Sequence, residues 1–289
     1  MNKAKNRPGQ LWSIGIYTGS SLFDLEPTAA VQNPVLTHQE VKDVPASFVA
    51  DPFMIQVKAK WYLFFEVKNK ANRRGEIALA TSEDGLHWTY EQIVLAEDFH
   101  LSYPYVFEWK GQYYMLPETL APEKVCLYRA TDFPLKWELD SHLIDGMHAD
   151  PTVFFTQDKW WMFTSPFPHQ QSRLNLYFAN ELQGPWQVHP SSPIIEEDIQ
   201  RARPAGRVRQ WEGKWLRFAQ DCYPRYGTQV RIFEIEELST DHYREREMEQ
   251  SPLLTASGSG WNDKGMHHID AHQLADGTWL ACVDGHEHC

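Results

Sequence analysis

One phrase recurs along this chain. Residues 49 to 66 read VADPFMIQVKAKWYLFFE: an Asp-Pro, an apolar run, a polar turn, then an aromatic run ending in a carboxylate. LSYPYVFEWKGQYYMLPE (101–118), HADPTVFFTQDKWWMFTS (148–165), RARPAGRVRQWEGKWLRFAQ (201–220) and HIDAHQLADGTWLACVD (268–284) line up with it. The prolines Pro52, Pro104, Pro151 and Pro204 are 52, 47 and 53 residues apart, and Ala271 takes the proline's place 67 residues later. A period near 50 residues points to repeated supersecondary units.

Each unit reads as strands. An alternating apolar run meets a turn (EWKGQ, TQDK, WEGK or ADGT) and an aromatic-led run follows (WYLFF, YYML, WWMF, WLRF, TWLA). β-Branched and aromatic residues bounded by Gly, Asp and Lys signal hairpins. Two weaker strands follow each hairpin, as in GEIALATSEDGLHWTYEQIVL. No stretch has a long apolar period of 3.6, so helix is a minor component. Four strands in each of five units predict an all-β fold, a five-bladed β-propeller occupying residues 1–289 as a single domain. The fifth unit is short of its outer strands. LWSIGIYTG, residues 11–19, is expected to pair with TWLACVD and close the ring, which removes sheet edges.

Composition narrows the function. The 12 Trp, 12 Tyr and 15 Phe suit blades that pack through large side chains. A net charge of −12 argues against nucleic acid, whose binders carry a basic face. No run approaches a membrane span, and the start MNKAKNRPGQLWSIG lacks a signal-peptide core, so membrane insertion is not expected and a cytoplasmic location is. Cys126, Cys222, Cys282 and Cys289 have no metal-ligand spacing, and Cys126 and Cys282 are expected as buried thiols.

In a propeller the first strand of each blade lines the channel. Registered on the residue before the proline position, the five copies give Asp51, Tyr103, Asp150, Arg203 and Asp270. Two residues earlier, on the same strand face, stand Val49, Leu101, His148, Arg201 and His268. The second strands end in Glu66, Glu118, Ser165, Gln220 and Asp284, with Asp221 after Gln220. Ionisable groups gathered in one ring either pair to hold the blades in register or serve a ligand. His268, Asp270 and His272 share a strand face, and His148, His268 and Asp270 are candidate ligands of a divalent ion. An i, i+2, i+4 set spans about 13 Å, so a hydrogen-bonded His–carboxylate pair is the competing reading. Arg201, Arg203, Arg207 and Arg209 stand at even spacing, a stripe suited to a carboxylate or phosphate, and Arg225 follows in DCYPRYGTQ.

These motifs carry a resemblance. FVADPFMI, LSYPYVFEWKGQYYMLPE, RARPAGRV, FAQDCYPRYGTQV and GMHHIDAH resemble the domain at the N-terminus of plant glucosamine inositolphosphorylceramide transferases, in the form of a bacterial stand-alone member. The likeness runs from about Trp12 to Gly285, with no transferase-like segment after it, so transferase activity is not expected. More distantly it resembles the five-bladed propellers of family-43 and family-32 glycoside hydrolases. That resemblance implies Asp51 as base or nucleophile, Asp150 as the second aspartate that orients the sugar, and Glu118 as acid, with Glu66 and Asp221 as rivals. Gln220 stands where an arabinanase-like pattern has a glutamate. The implied substrate-binding set is Arg201, Arg203, Tyr103, Asp270, His268, Asp221 and Arg225, with Trp61, Tyr105 and Trp160 as stacking faces unless they pack between blades.

The expectation is therefore a propeller that hydrolyses or otherwise processes a glycoside or sugar conjugate, an anionic one if the arginines meet the ligand. No cofactor is required on this reading. The alternatives are a non-catalytic sugar-binding scaffold that partners a glycan-modifying enzyme, and metal-assisted chemistry at the His-Asp cluster.

Overall fold

The computed structural model describes residues 10–288. The chain begins with β1 (Gln10–Gly19) and β2 (Glu26–Pro27). The first repeat forms β3 (Ala46–Val57), β4 (Lys60–Asn69), β5 (Gly75–Ser82) and β6 (Thr89–Leu95). The second forms β7 (Ser102–Trp109), β8 (Gln112–Glu118), β9 (Lys124–Asp132) and β10 (Lys136–Asp145). The third forms β11 (His148–Thr156), β12 (Lys159–Pro166), β13 (Asn175–Ala179) and β14 (Gln187–Val188). The fourth is more broken: β15 (Arg203–Pro204), β16 (Arg209–Trp211), β17 (Lys214–Asp221), β18 (Gln229–Leu238), β19 (Tyr243–Glu247) and β20 (Leu254–Thr255). The chain ends on β21 (Ile269–Gln273) and β22 (Trp279–His288).

Each repeat is one antiparallel sheet, and five such sheets make a five-bladed propeller. In blades one to three the strands follow in chain order from the centre outward. Blade four keeps the four-strand path β15-β17-β18-β19, with β16 added to β17 and β20 to β18. Blade five has the order β21-β22-β1-β2, so the N-terminal strand closes the ring as the sequence predicts. Ten residue pairs, from Gln10↔His288 to Gly19↔Trp279, join β1 to β22. No pattern in the sequence marks the two-residue β2, which completes this blade.

The inner hairpins turn where expected. Lys110–Gly111, Gln157–Asp158 and Glu212–Gly213 all have positive φ at both central positions, the twist that suits tight hairpins. Aromatic rings fill the spaces between blades: Phe53 meets Tyr103 edge-on at 4.8 Å, and Trp109 meets Trp160 at 4.8 Å. Trp61, Tyr105 and Trp160 are buried in this packing and offer no free face to a sugar. Cys126 and Cys282 are buried free thiols. Among the described residues the only helices are two single 3-10 turns, and no helix is long and apolar enough to cross a membrane.

Candidate functional site

A bulge builds the site. The inner strand skips register against its neighbour between Ala50 and Phe53, between Ser102 and Tyr105, and between Ala149 and Thr152. Inside each skip, the residue before the proline adopts a left-handed backbone: φ is 54° at Asp51, 50° at Tyr103 and 49° at Asp150. Non-glycine residues adopt this conformation at a cost of order 1 kcal/mol or more. Neighbouring blades hold it in place through carboxylates. Asp284 of blade five accepts the Asp51 N–H at 3.0 Å, Asp51 accepts the Tyr103 N–H at 3.2 Å, and Glu118 accepts the Asp150 N–H at 3.3 Å. Each blade's acid thus fixes the next blade's bulge.

Two acids share one cation. Arg203 binds Asp150 through Nε and Glu118 Oε2 through its terminal nitrogen, the latter at 3.1 Å. Gln220 donates to Asp150 Oδ2 at 3.0 Å, so the residue standing in the expected place of a glutamate is a buried donor. His267 Nδ1 lies 2.8 Å from Asp284 Oδ1, and its Nε2 is 3.8 Å from Asp51 Oδ1. Burial works against a charged His267, but Asp284 outweighs it and raises the imidazole above its ordinary value. The same pair holds Asp284 below the usual carboxylate range despite its burial. The Trp12 ring stacks on His267 at 4.0 Å.

Three carboxyls remain without a full counter-charge, and all three line one pocket of about 210 Å³: Asp51, Glu66 and Glu118. Burial pushes Asp51 up to about 7, with Asp284 and Asp150 adding to the shift and His267 and Arg203 opposing it. Burial and Asp150 push Glu118 up to about 8. Glu66 is raised well above its ordinary value by burial and then by Asp51. Its Oε1 is buried without a hydrogen-bond partner, 3.5 Å from His100 Nε2. His100 Nδ1 accepts the Gly75 N–H at 2.6 Å, and burial takes its pKa down to about 3, so the ring is neutral. Ala50 pairs with Glu66 across β3 and β4, which is why the Asp-Pro and the strand-end glutamate of one repeat reach the same mouth.

A second, outer chamber of about 670 Å³ shares Trp12, Phe48, Lys68 and Tyr226 with the inner pocket. Arg225 lines it. Trp12, Phe48, Tyr226 and His267 are site residues that the repeat alignment does not pick out. They sit outside the repeated phrase or one position beside its register, so only the tandem aromatic and His content hints at them.

Other candidates lie elsewhere. Arg201 is exposed and paired with Asp198 at 2.8 Å, so it does not share a face with Arg203. Asp221 is buried among Arg231, Gln229 and the Tyr223 N–H, where it fastens a loop. Tyr103 is buried, its hydroxyl between Thr152 and the Gly206 N–H. Asp270 binds Arg207, Arg209, His272 and the Met54 N–H, and lines neither chamber. Its blade explains the difference: β21 pairs with β22 without a register skip, so no bulge turns Asp270 toward the mouth. His268 Nε2 meets the Pro52 carbonyl and His148 Nε2 the Asp145 carbonyl, so His148, His268 and Asp270 do not converge on an ion.

Among the described residues, the group that could hold a metal is Asp51, His267 and Asp284, whose ligand atoms lie within 4.8 Å of one another. Both Asp284 oxygens already accept N–H groups, from His267 and from Asp51. A metal would have to displace those bonds, and the hydrogen-bonded arrangement fits these residues better.

Comparison with known proteins bears on this geometry. The family described as glucosamine inositolphosphorylceramide transferase 1, N-terminal, matches residues 5–286. The glucosamine inositolphosphorylceramide transferase 1 of Oryza sativa subsp. japonica is 37% identical over 95% of this chain and 40% of its own length. The protein of the same name from Arabidopsis thaliana is 34% identical over 95% of this chain and 39% of its own. The chain thus spans about two-fifths of these relatives. Among solved structures, a putative glycosidase from Bacteroides thetaiotaomicron superposes with TM-score 0.68 at 12% identity, covering 91% of this chain and 97% of that one. An exo-β-1,3-galactanase from Clostridium thermocellum superposes with TM-score 0.66 at 14% identity, covering 81% and 55%. At such identities these two matches establish the shared propeller fold alone.

Proposed function

The chain belongs to the family of the N-terminal region of glucosamine inositolphosphorylceramide transferase 1, and from that premise we propose that it is a carbohydrate-processing propeller whose mouth cleaves a glycosidic bond. The observation that carries this reading is the surplus of acid in one small pocket. Asp150 is matched by Arg203 and Asp284 by His267, which leaves Asp51, Glu66 and Glu118 around one small space. Three such groups in a poorly solvated mouth do not all ionise near neutral pH. Some hold protons while the most acidic does not, and acetal hydrolysis needs that division.

Burial raises both Asp51 and Glu118, and His267, 3.8 Å from Asp51, opposes the rise at Asp51. On this reading Glu118 is the proton donor to the leaving oxygen as the glycosidic C–O bond breaks. Asp51 takes a proton from the water that attacks the anomeric carbon. Asp150 and Asp284 act behind them, the first by positioning Arg203 and the second by positioning His267 beside Asp51. Carboxylate oxygens also suit the hydroxyl donors of a sugar, and the Tyr226 ring at the mouth suits its apolar face.

One observation favours a second reading, in which the propeller binds a sugar for a partner glycan-modifying enzyme without turning it over. One oxygen of Glu118 is held by Arg203 and the Asp150 N–H, and blade four has Gln220 in place of an acid. A screen of chromogenic glycosides, with and without chelator, separates the readings. Asp51→Asn should abolish turnover, by at least about 100-fold, while sugar binding persists. Full activity in that variant would sink the mechanism, and chelator-sensitive turnover would favour a metal at Asp51, His267 and Asp284.

A further inference from the structure

We infer that the outer chamber is an anion subsite, built for a phosphate group carried by the sugar whose ring occupies the inner pocket; the second half of this statement rests on the carbohydrate reading above.

The two chambers differ in electrical character. The inner one sets three carboxyls among Arg203, Lys68 and His267. The outer one is lined by Lys68 and Arg225 and, among the described residues, by no carboxylate at all. This occurs in a chain with 39 acidic and 27 basic residues. Most arginines near the mouth are already paired: Arg203 with Asp150 and Glu118, Arg201 with Asp198, Arg173 with Glu196, and Arg231 with Asp221. Arg225 is exposed and, among the described residues, has no ion pair. Lys68 Nζ has one hydrogen-bond partner among them, the neutral ring of His100, at 3.3 Å from Nδ1, and its charge also acts on Glu66. The sequence points to Arg201 and Arg203 for the anion, but Arg201 is held by Asp198 and Arg203 by its two acids.

The chemistry of the remaining lining selects the anion. Gln10, Gln170, Gln171 and His169 add further donors around the two cations. A guanidinium fork, an ammonium point charge and several amide N–H groups together suit an anion with oxygens in three directions. A phosphate offers that, whereas a carboxylate presents two oxygens in one plane. Lys68 lines both chambers, so it marks the boundary where a substituent leaves a ring seated among the carboxyls. Phosphate monoesters and diesters share this chemistry and differ in charge and in what continues beyond the phosphorus.

The test is calorimetric titration of the whole chain with glucose, galactose, mannose and glucosamine, each beside its 1-phosphate and its methyl phosphodiester. Inorganic phosphate alone is included. The expected result is that at least one phosphorylated sugar binds tenfold or more tightly than its parent, the scale of a charge-assisted hydrogen bond. Arg225→Ala should remove most of that preference, and Lys68→Gln should lower it further, with the affinity for the neutral sugar kept in Arg225→Ala. Arg225→Lys should restore part of it. A diester that binds as well as the monoester identifies a bridging phosphate, and a weaker diester a terminal one.

Neutral sugars bound as tightly as their phosphates would overturn the subsite and leave the carbohydrate reading standing. Inorganic phosphate that binds in an Arg225-dependent way, with no gain from any sugar, would keep the anion site and remove its link to a sugar. If no probe binds at millimolar concentration, the inference falls, while the glycoside screen judges the carbohydrate reading separately.

Discussion

Asp51, Glu66 and Glu118 are more costly to the folded protein than their number suggests. Each is buried and has a folded pKa above its unfolded one. The folded state therefore binds more protons than the unfolded state between about pH 4 and the folded values. Stability on this account is fully present below the unfolded pKa and is lost as pH rises through 7 and 8. The loss is bounded by ~1.4 kcal/mol per pH unit for each group. Glu66→Gln mimics the neutral form of the acid that has an unpartnered oxygen. It should reduce the loss between pH 5 and pH 8 by about 1 kcal/mol or more, read by urea denaturation at the two pH values. Parallel curves for the wild type and the variant would show that Glu66 ionises freely in the fold. At this scale the sequence was informative about Asp51, Glu66 and Glu118, because each occupies a repeated position. It was silent on Trp12, Phe48 and Tyr226, which belong to the closing strand, to the start of β3 and to the loop before β18, outside the aligned positions.

Whether a strand runs straight decided which positional inferences held. Even spacing put Arg201, Arg203, Arg207 and Arg209 on one face, on the assumption of an unbroken inner strand. The strand breaks between β15 and β16, where Gly206 has φ 139° and its backbone presses on Ile269. A Cβ at Gly206 would lie 1.8 Å from the Ile269 carbonyl oxygen. The four arginines consequently serve different acids, Asp198, the Asp150–Glu118 pair and Asp270. The bulges were equally illegible, since a proline after the inner residue is compatible with a regular edge or a turn. Hairpins were readable because their turns are local, and one of them carries avoidable strain. Gln157 and Asp158 are exposed, and both have φ 56°. Replacing the pair with Asn-Gly should raise unfolding stability by about 1 kcal/mol, because that dipeptide favours such a turn. An unchanged urea midpoint would mean that the turn's surroundings, and not its own backbone, set its energy.

For the whole molecule the five-fold architecture was legible from the period alone, and so was its closure by the first strand. The prediction at this scale is severe. A chain lacking residues 1 to 20 loses β1 and leaves β22 with an open edge along ten paired positions. It should aggregate or unfold without cooperativity, as measured by light scattering and thermal denaturation. Unchanged melting would show that β1 is dispensable. β1 also carries Trp12, which stacks on His267 and walls both chambers. During synthesis this strand leaves the ribosome before any other described strand, and its partner β22 leaves last. A nascent chain can therefore shape its middle blades early, yet it has no finished mouth until the final hairpin has been released. The mouth is thus a property that only the completed ring possesses, and a prematurely terminated product lacks it.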